Sequence, residues 1–175
     1  MFRHEQFVEF VIAPALKAVG LYSEAAEQLL LGTCCVESYL GTYLHQIRGP
    51  ALGVYQMEPA THLDLWESYL KYRPELAKRV LLLIPPDHWD GIDNCPAHDL
   101  LITDLRYATV MARILYRRSP EPLPAPGLWT QAAGVWKRVY NTNLGAGTVF
   151  KFMDSLVACK VISSSNHVPL PTTET

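Results

Sequence analysis

The stretch that most restricts how this chain can fold runs from Leu29 to Thr61. It begins with a nearly unbroken apolar run, Leu-Leu-Leu-Gly-Thr-Cys-Cys-Val, ends that run on a single acid, Glu37, and is then broken by Gly41 and by Arg48-Gly49-Pro50. A second short apolar run, Gly53 to Met57, follows and carries Gln56. Ser23 is a good N-cap, with Glu24 in the positive first turn, so a helix is expected from there to about Leu40. Ala26, Leu30, Thr33 and Glu37 fall on one stripe of that helix, and Gly41 suits its C-terminal stop. Glu37 therefore lies at the end of an apolar face. From position alone it reads either as a solvated carboxylate at a helix end or as an acid held out of water.

The remaining chain reads as short helices. Apolar spacing predicts one over 4–19, weakened by Pro14, which lacks a donor N–H. Pro59 suits the first turn of a helix carrying His62, Leu63, Trp66 and Leu70, and another follows over 75–84. The periodicity from Leu100 through Leu115 predicts one well-buried helix, and two more are expected over 129–140 and 148–160. Ser119 to Gly127 holds four prolines and reads as a stiff linker. Any β structure should be at most a small hairpin within 42–58. The expected fold is mostly α, a single domain over 1–160 with a polar tail over 161–175.

Composition closes off several classes. A net charge of −2 over 175 residues provides no basic footprint for nucleic acid. No apolar run approaches the roughly 20 residues of a membrane helix, so no membrane insertion is expected. The first 19 residues do not read as a secretory signal. Cys34, Cys35, Cys95 and Cys159 match no disulfide framework, and reduced, buried thiols are expected. The segment Asp87 to Asp99 contains His88, Asp90, Asp93, Cys95 and His98, but its spacing fits neither a calcium loop nor a zinc signature. It reads as a solvated loop, and no metal or cofactor is expected.

Glu37-Ser38, then Gly53-Val54-Tyr55-Gln56, then Pro59-Ala60-Thr61, and later Tyr140-Asn141 before a glycine-containing turn occur in this order. The pattern resembles the lytic transglycosylase and goose-type lysozyme superfamily over roughly residues 20–158. The resemblance implies a lysozyme-like domain that cleaves peptidoglycan between N-acetylmuramic acid and N-acetylglucosamine, with Glu37 as the catalytic acid and base. Ser38 would hydrogen-bond near the substrate or the Glu, Gln56 would contact the sugar, and Tyr140 would position Glu37, with Asn141 beside it. Tyr55, with Tyr39 and Tyr43, is a candidate sugar-stacking surface or ordinary packing. Two departures stand out: Glu58 replaces an apolar residue, and the last motif reads Tyr-Asn-Thr-Asn-Leu-Gly.

Goose-type relatives place acids ahead of the Gly-x-x-Gln run. The segment 42–52 has none here. That favours transglycosylation, in which one Glu suffices and the sugar's own C6 hydroxyl replaces water. Glu58 reads as an acid opening the next helix. The expected setting is a phage virion lysin acting on the cell wall at infection, docked among other virion proteins. A phage endolysin made in the host cytoplasm, a true lysozyme, a chitin-directed hydrolase and an inactive structural module are the alternatives.

Overall fold

The computed structural model describes residues 1–89, 94–142 and 145–164. Among these the chain is mostly α, and the only β features are two isolated antiparallel bridges, His45 with Leu52 and Leu52 with Met57. Both bridges fall inside the window expected for a hairpin. Among the described residues no helix is long and apolar enough to cross a membrane. All but the first few residues of the expected tail, 161–175, lie outside the described residues.

The N-terminal helix forms as two α segments, α1 (His4–Phe7) and α2 (Ala13–Ala18), joined by a π turn over Val8–Ile12. Pro14 explains the interruption. It cannot donate to the preceding turn and its ring crowds that turn's carbonyl, and a widened turn directly ahead relieves both.

Helix α3 (Glu24–Ser38) is held at its start by Ser23, whose hydroxyl accepts from the Ala26 N–H at 3.1 Å. Leu29 through Val36 are all buried, so this part of the helix is enclosed on every side rather than half-solvated. Gly32 sits in its interior for a steric reason: a Cβ there would lie 2.2 Å from the Phe152 ring of α9 (Val149–Ala158). The C-terminal stop differs from expectation. Tyr39, Leu40 and Gly41 are all left-handed, with φ of 48°, 51° and 75°, so the reversal starts two residues before the glycine. The Leu40 N–H returns to the Cys34 carbonyl at 3.2 Å, a six-residue closure that seats the Leu40 side chain in the core.

Helices α4 (Pro59–Ser68) and α5 (Pro74–Leu81) both begin on proline, where the missing donor is harmless. The helix expected from Leu100 is in fact two, α6 (Leu100–Thr103) and α7 (Leu105–Arg118). Asp104 divides them by capping α7: its carboxylate accepts from the N–H groups of Arg106 and Tyr107 at 3.0 and 2.9 Å. Helix α8 (Trp129–Val135) continues into a second π turn, Trp136–Tyr140.

Two apolar clusters form the core. One gathers α3, α8 and α9 around Leu30, Tyr55, Trp136 and Phe152. The other gathers α4, α5 and α6 around Leu65, Trp66, Val80 and Leu101. Helix α7 is common to both, giving Ala108, Ala112 and Tyr116 to the first and Val110, Met111 and Ile114 to the second.

Candidate active site

Glu37 is the penultimate residue of α3. It borders an open cleft of about 520 Å³ at the seam of the two clusters. Gln56, Tyr140 and Asn141 line the same cleft, together with Glu58, Thr61 and Lys151. Four positions singled out by the sequence pattern are thus brought to one place from three separate segments.

Burial pushes the Glu37 carboxyl up to about 7 from an ordinary value of 4.5. The Trp136 indole N–H, donating to Oε1 at 2.8 Å, and the Lys151 charge oppose this and lose. Its seat at the negative end of α3 acts in the same direction as burial. Desolvation decides the outcome because a carboxylate near the cleft wall gives up most of its water and recovers only one indole donor. The result is an acid that still holds its proton near neutral pH yet remains within reach of the cleft.

The π turn explains how Trp136 and Tyr140 both serve this wall. Its wider spacing ends with the Asn141 N–H bonding back to the Trp136 carbonyl at 3.0 Å. Tyr140 donates its hydroxyl to the Tyr55 carbonyl at 2.8 Å, and its ring lies 5.4 Å from that of Tyr116. It therefore braces the segment before Gln56 and has no hydrogen bond to Glu37. The Asn141 amide oxygen accepts from the Gly147 N–H at 3.1 Å and from Lys137 Nζ at 2.9 Å. Its side chain closes the turn that follows. Gly147 must be glycine because a Cβ would lie 2.3 Å from the Trp136 ring. Asn143 and Leu144 of the same motif lie outside the described residues.

Ser38 and Tyr55 take other places than expected for substrate contacts. Ser38 is fully buried; its hydroxyl donates to the Val54 carbonyl at 2.6 Å and accepts from the Gly41 N–H at 2.9 Å. It fastens the end of α3 to the segment carrying Gln56. Tyr55 is buried among core residues, and its hydroxyl accepts from Thr109 at 3.3 Å, so its ring cannot stack on a sugar in the cleft. Tyr39 and Tyr43 are exposed and pack edge to face, 6.4 Å apart. Gln56 is half-buried, with a left-handed φ of 46° and its amide nitrogen donating to the Gly53 carbonyl at 2.8 Å. A non-glycine residue held in that conformation at a cleft stores backbone strain. Gly53 itself (φ 72°) admits no side chain, since a Cβ would meet the Leu101 carbonyl oxygen at 1.8 Å.

Sequence reasoning missed Trp136 as the partner of Glu37. Its helical spacing marked it as core, and it is core; only the fold shows that its indole edge reaches the acid. Glu58 opens α4 as expected, at its N-cap position. It makes no side-chain capping bond, and it is exposed on the cleft. The acid absent from 42–52 thus has a counterpart just after it. The expected solvated loop is also corrected in part. Cys95 and His98 converge with His62 of α4 rather than facing water, while Asp90 and Asp93 lie outside the described residues. All four cysteines are free, with Cys34, Cys35 and Cys159 buried.

No protein-family model, curated protein or solved structure matches the chain. Its fold and site define a mostly α protein with an open cleft bordered by a carboxylic acid whose pKa is raised to about 7.

Proposed function

We propose that this chain is a glycosidase of lysozyme-like fold acting as a peptidoglycan lytic transglycosylase, with Glu37 as its acid and base. One observation carries the reading: Glu37, with its pKa raised to about 7, shares an open cleft with Gln56, Tyr140 and Asn141. Cleavage of a glycosidic bond needs an acid that is still protonated near neutrality. Glu37 donates its proton to the bridging oxygen as the C1–O bond breaks. The carboxylate left behind takes the proton of the C6 hydroxyl as that oxygen closes on C1. The proton is thus restored to Glu37 and no water is consumed. The Trp136 N–H favours the carboxylate form and orients it between the two steps. Ser38 and Tyr140 are positioning residues that fix the Gln56 segment against α3 and the π turn.

Glu58 supports a second reading. An inverting hydrolase uses a second carboxylate, roughly 6.5–9.5 Å away, to activate water. Glu58 lines this cleft and would supply that carboxylate.

Purified peptidoglycan digested by wild type, Glu37→Gln and Glu58→Gln, followed by mass spectrometry of the muropeptides, separates the readings. Transglycosylation predicts 1,6-anhydro products from wild type and Glu58→Gln and none from Glu37→Gln. Reducing ends that vanish with Glu58→Gln mean hydrolysis. Undiminished cleavage by Glu37→Gln overturns both.

A further inference from the structure

We propose that His62, Cys95 and His98 form a binding site for a divalent transition metal of zinc type, separate from the Glu37 cleft and independent of the function assigned to it. The three ligand atoms lie within 4.8 Å of one another. They come from two parts of the chain: His62 from the first half of α4, and Cys95 and His98 from the segment that leads into α6. The Nδ1 atoms of the two histidines face each other at 2.8 Å, and Cys95 Sγ lies 3.4 Å from His62 Nδ1. The two rings are 5.0 Å apart and inclined at 74°, so they present nitrogen edges to a shared point instead of stacking.

These distances suit the metal's chemistry. Zinc takes imidazole nitrogen at about 2.0–2.1 Å and thiolate sulfur at about 2.3 Å in tetrahedral geometry, which places ligand nitrogens about 3.3 Å apart and nitrogen and sulfur about 3.5 Å apart. The spacing of Cys95 Sγ to His62 Nδ1 already agrees. The nitrogen pair needs to open by about half an ångström, within the reach of small ring rotations. Two imidazoles and one sulfur are also a borderline-soft donor set that favours zinc over magnesium or calcium.

A second sphere is in place. His62 Nε2 lies 2.6 Å from the Tyr107 hydroxyl, and that oxygen accepts from the Trp66 indole N–H at 3.0 Å. The indole can only donate, so Tyr107 has one lone pair left for His62. With metal on Nδ1, the His62 proton sits on Nε2 and fills that lone pair. Ring orientation is thereby fixed from behind, as in metal sites generally. Binding releases one proton in total, that of the Cys95 thiol, whichever ring nitrogen of His62 carries its proton beforehand.

The site also has a way in. Cys95 borders a separate open cavity of about 430 Å³, lined as well by His88 and Asp99. Three protein ligands leave the fourth tetrahedral position to water or to a group in that cavity. His62 is the neighbour of Thr61, which lines the Glu37 cleft. A bound metal would tie the cleft-bearing start of α4 to the segment before α6.

The test is a titration of the reduced full-length chain with cobalt(II) as a spectroscopic stand-in and with zinc by calorimetry. The expected result is one metal per chain, a thiolate-to-cobalt charge-transfer absorption and a raised Tm with zinc. Cys95→Ser should abolish the charge-transfer absorption. Tyr107→Phe should weaken binding by about 10–100-fold, and His98→Ala by more than that. The exposed-residue variant His45→Ala should match wild type. No stoichiometric metal on folded wild type overturns the proposal. Binding that survives both Cys95→Ser and His98→Ala unchanged does the same, because the metal would then be held elsewhere.

Discussion

The Glu37 cleft and the His62–Cys95–His98 cluster are governed by the same force and come out chemically opposite. In both, burial disfavours charge. Burial raises the carboxyl of Glu37 to about 7, and it lowers the imidazole of His62, helped by the neighbouring His98, to about 3. Near pH 7 Glu37 therefore keeps its proton in about half of the molecules, and His62 is uncharged. A neutral carboxylic acid is a proton donor, whereas a neutral imidazole is a lone-pair donor. The first property suits Glu37 to general acid catalysis, whereas the metal reading of the second site stands on the convergence of His62, Cys95 and His98. The partners reinforce the contrast. Glu37 receives one N–H, from Trp136, on the oxygen that must later carry charge, while His62 is held through Nε2 with Nδ1 turned towards two further ligand atoms.

The largest separation between the two sites should come from Glu37→Gln. It should lower muropeptide release by about 10²–10⁴-fold, with cobalt uptake unchanged. Loss of both properties together would show that the sites are one unit.

Gly53→Ala should break both at once. Gly53 stands between them, on the segment carrying Gln56 and against the Leu101 carbonyl of α6, where an added Cβ would lie 1.8 Å from that oxygen. The backbone must separate there and the left-handed φ adds strain, so a loss of about 3 kcal/mol or more is expected. Urea unfolding measures it. A loss under about 1 kcal/mol would show that the junction is loosely packed.

The pH dependence of stability isolates the acid. Its folded-state pKa of about 7 lies above the ordinary 4.5. Between those values the folded protein keeps a proton that the unfolded chain has lost, so stability falls as pH rises through this window. Glu37→Gln removes that dependence. The variant should be more stable than wild type by about 1–3 kcal/mol at pH 8, allowing for solvent reaching the carboxyl from the cleft, and about equal to it at pH 4. Thermal unfolding at the two pH values reads the difference. A variant that is less stable than wild type at pH 8 would contradict the raised pKa.

The smallest effect is expected from Trp136→Phe. It removes the one hydrogen bond that lowers the Glu37 pKa while retaining most of the ring packed against Phe152. The alkaline limb of the rate profile should move up by about one pH unit. A downward shift would mean that the indole acts by excluding water and not by its N–H.

Much of the cleft was legible in the order of short motifs. Glu37 ends an apolar helix, and Gln56, Tyr140 and Asn141 meet it on one wall. Local rules could not say which way each side chain turns. Ser38 and Tyr55 stand in the same motifs, yet both face inward, because the left-handed reversal at Tyr39 and Leu40 folds the next segment back over the end of α3. The split at Asp104 was missed for a related reason. Apolar periodicity continues through it, and only the cap marks the boundary.

Local periodicity and capping determined the elements themselves: a mostly α chain, a helix ending on an acid, and prolines that open α4 and α5 and widen the turn before α2. These depend on residues within a turn or two of each other, so the sequence alone carries them. Tertiary structure decided the chemistry. Trp136 reaches Glu37 across 99 positions, and His62 meets Cys95 and His98 across 33 and 36. No local spacing encodes such contacts. They arise when two apolar clusters close on α7, and the water expelled in that closure is what shifts the acid and the imidazole in opposite directions.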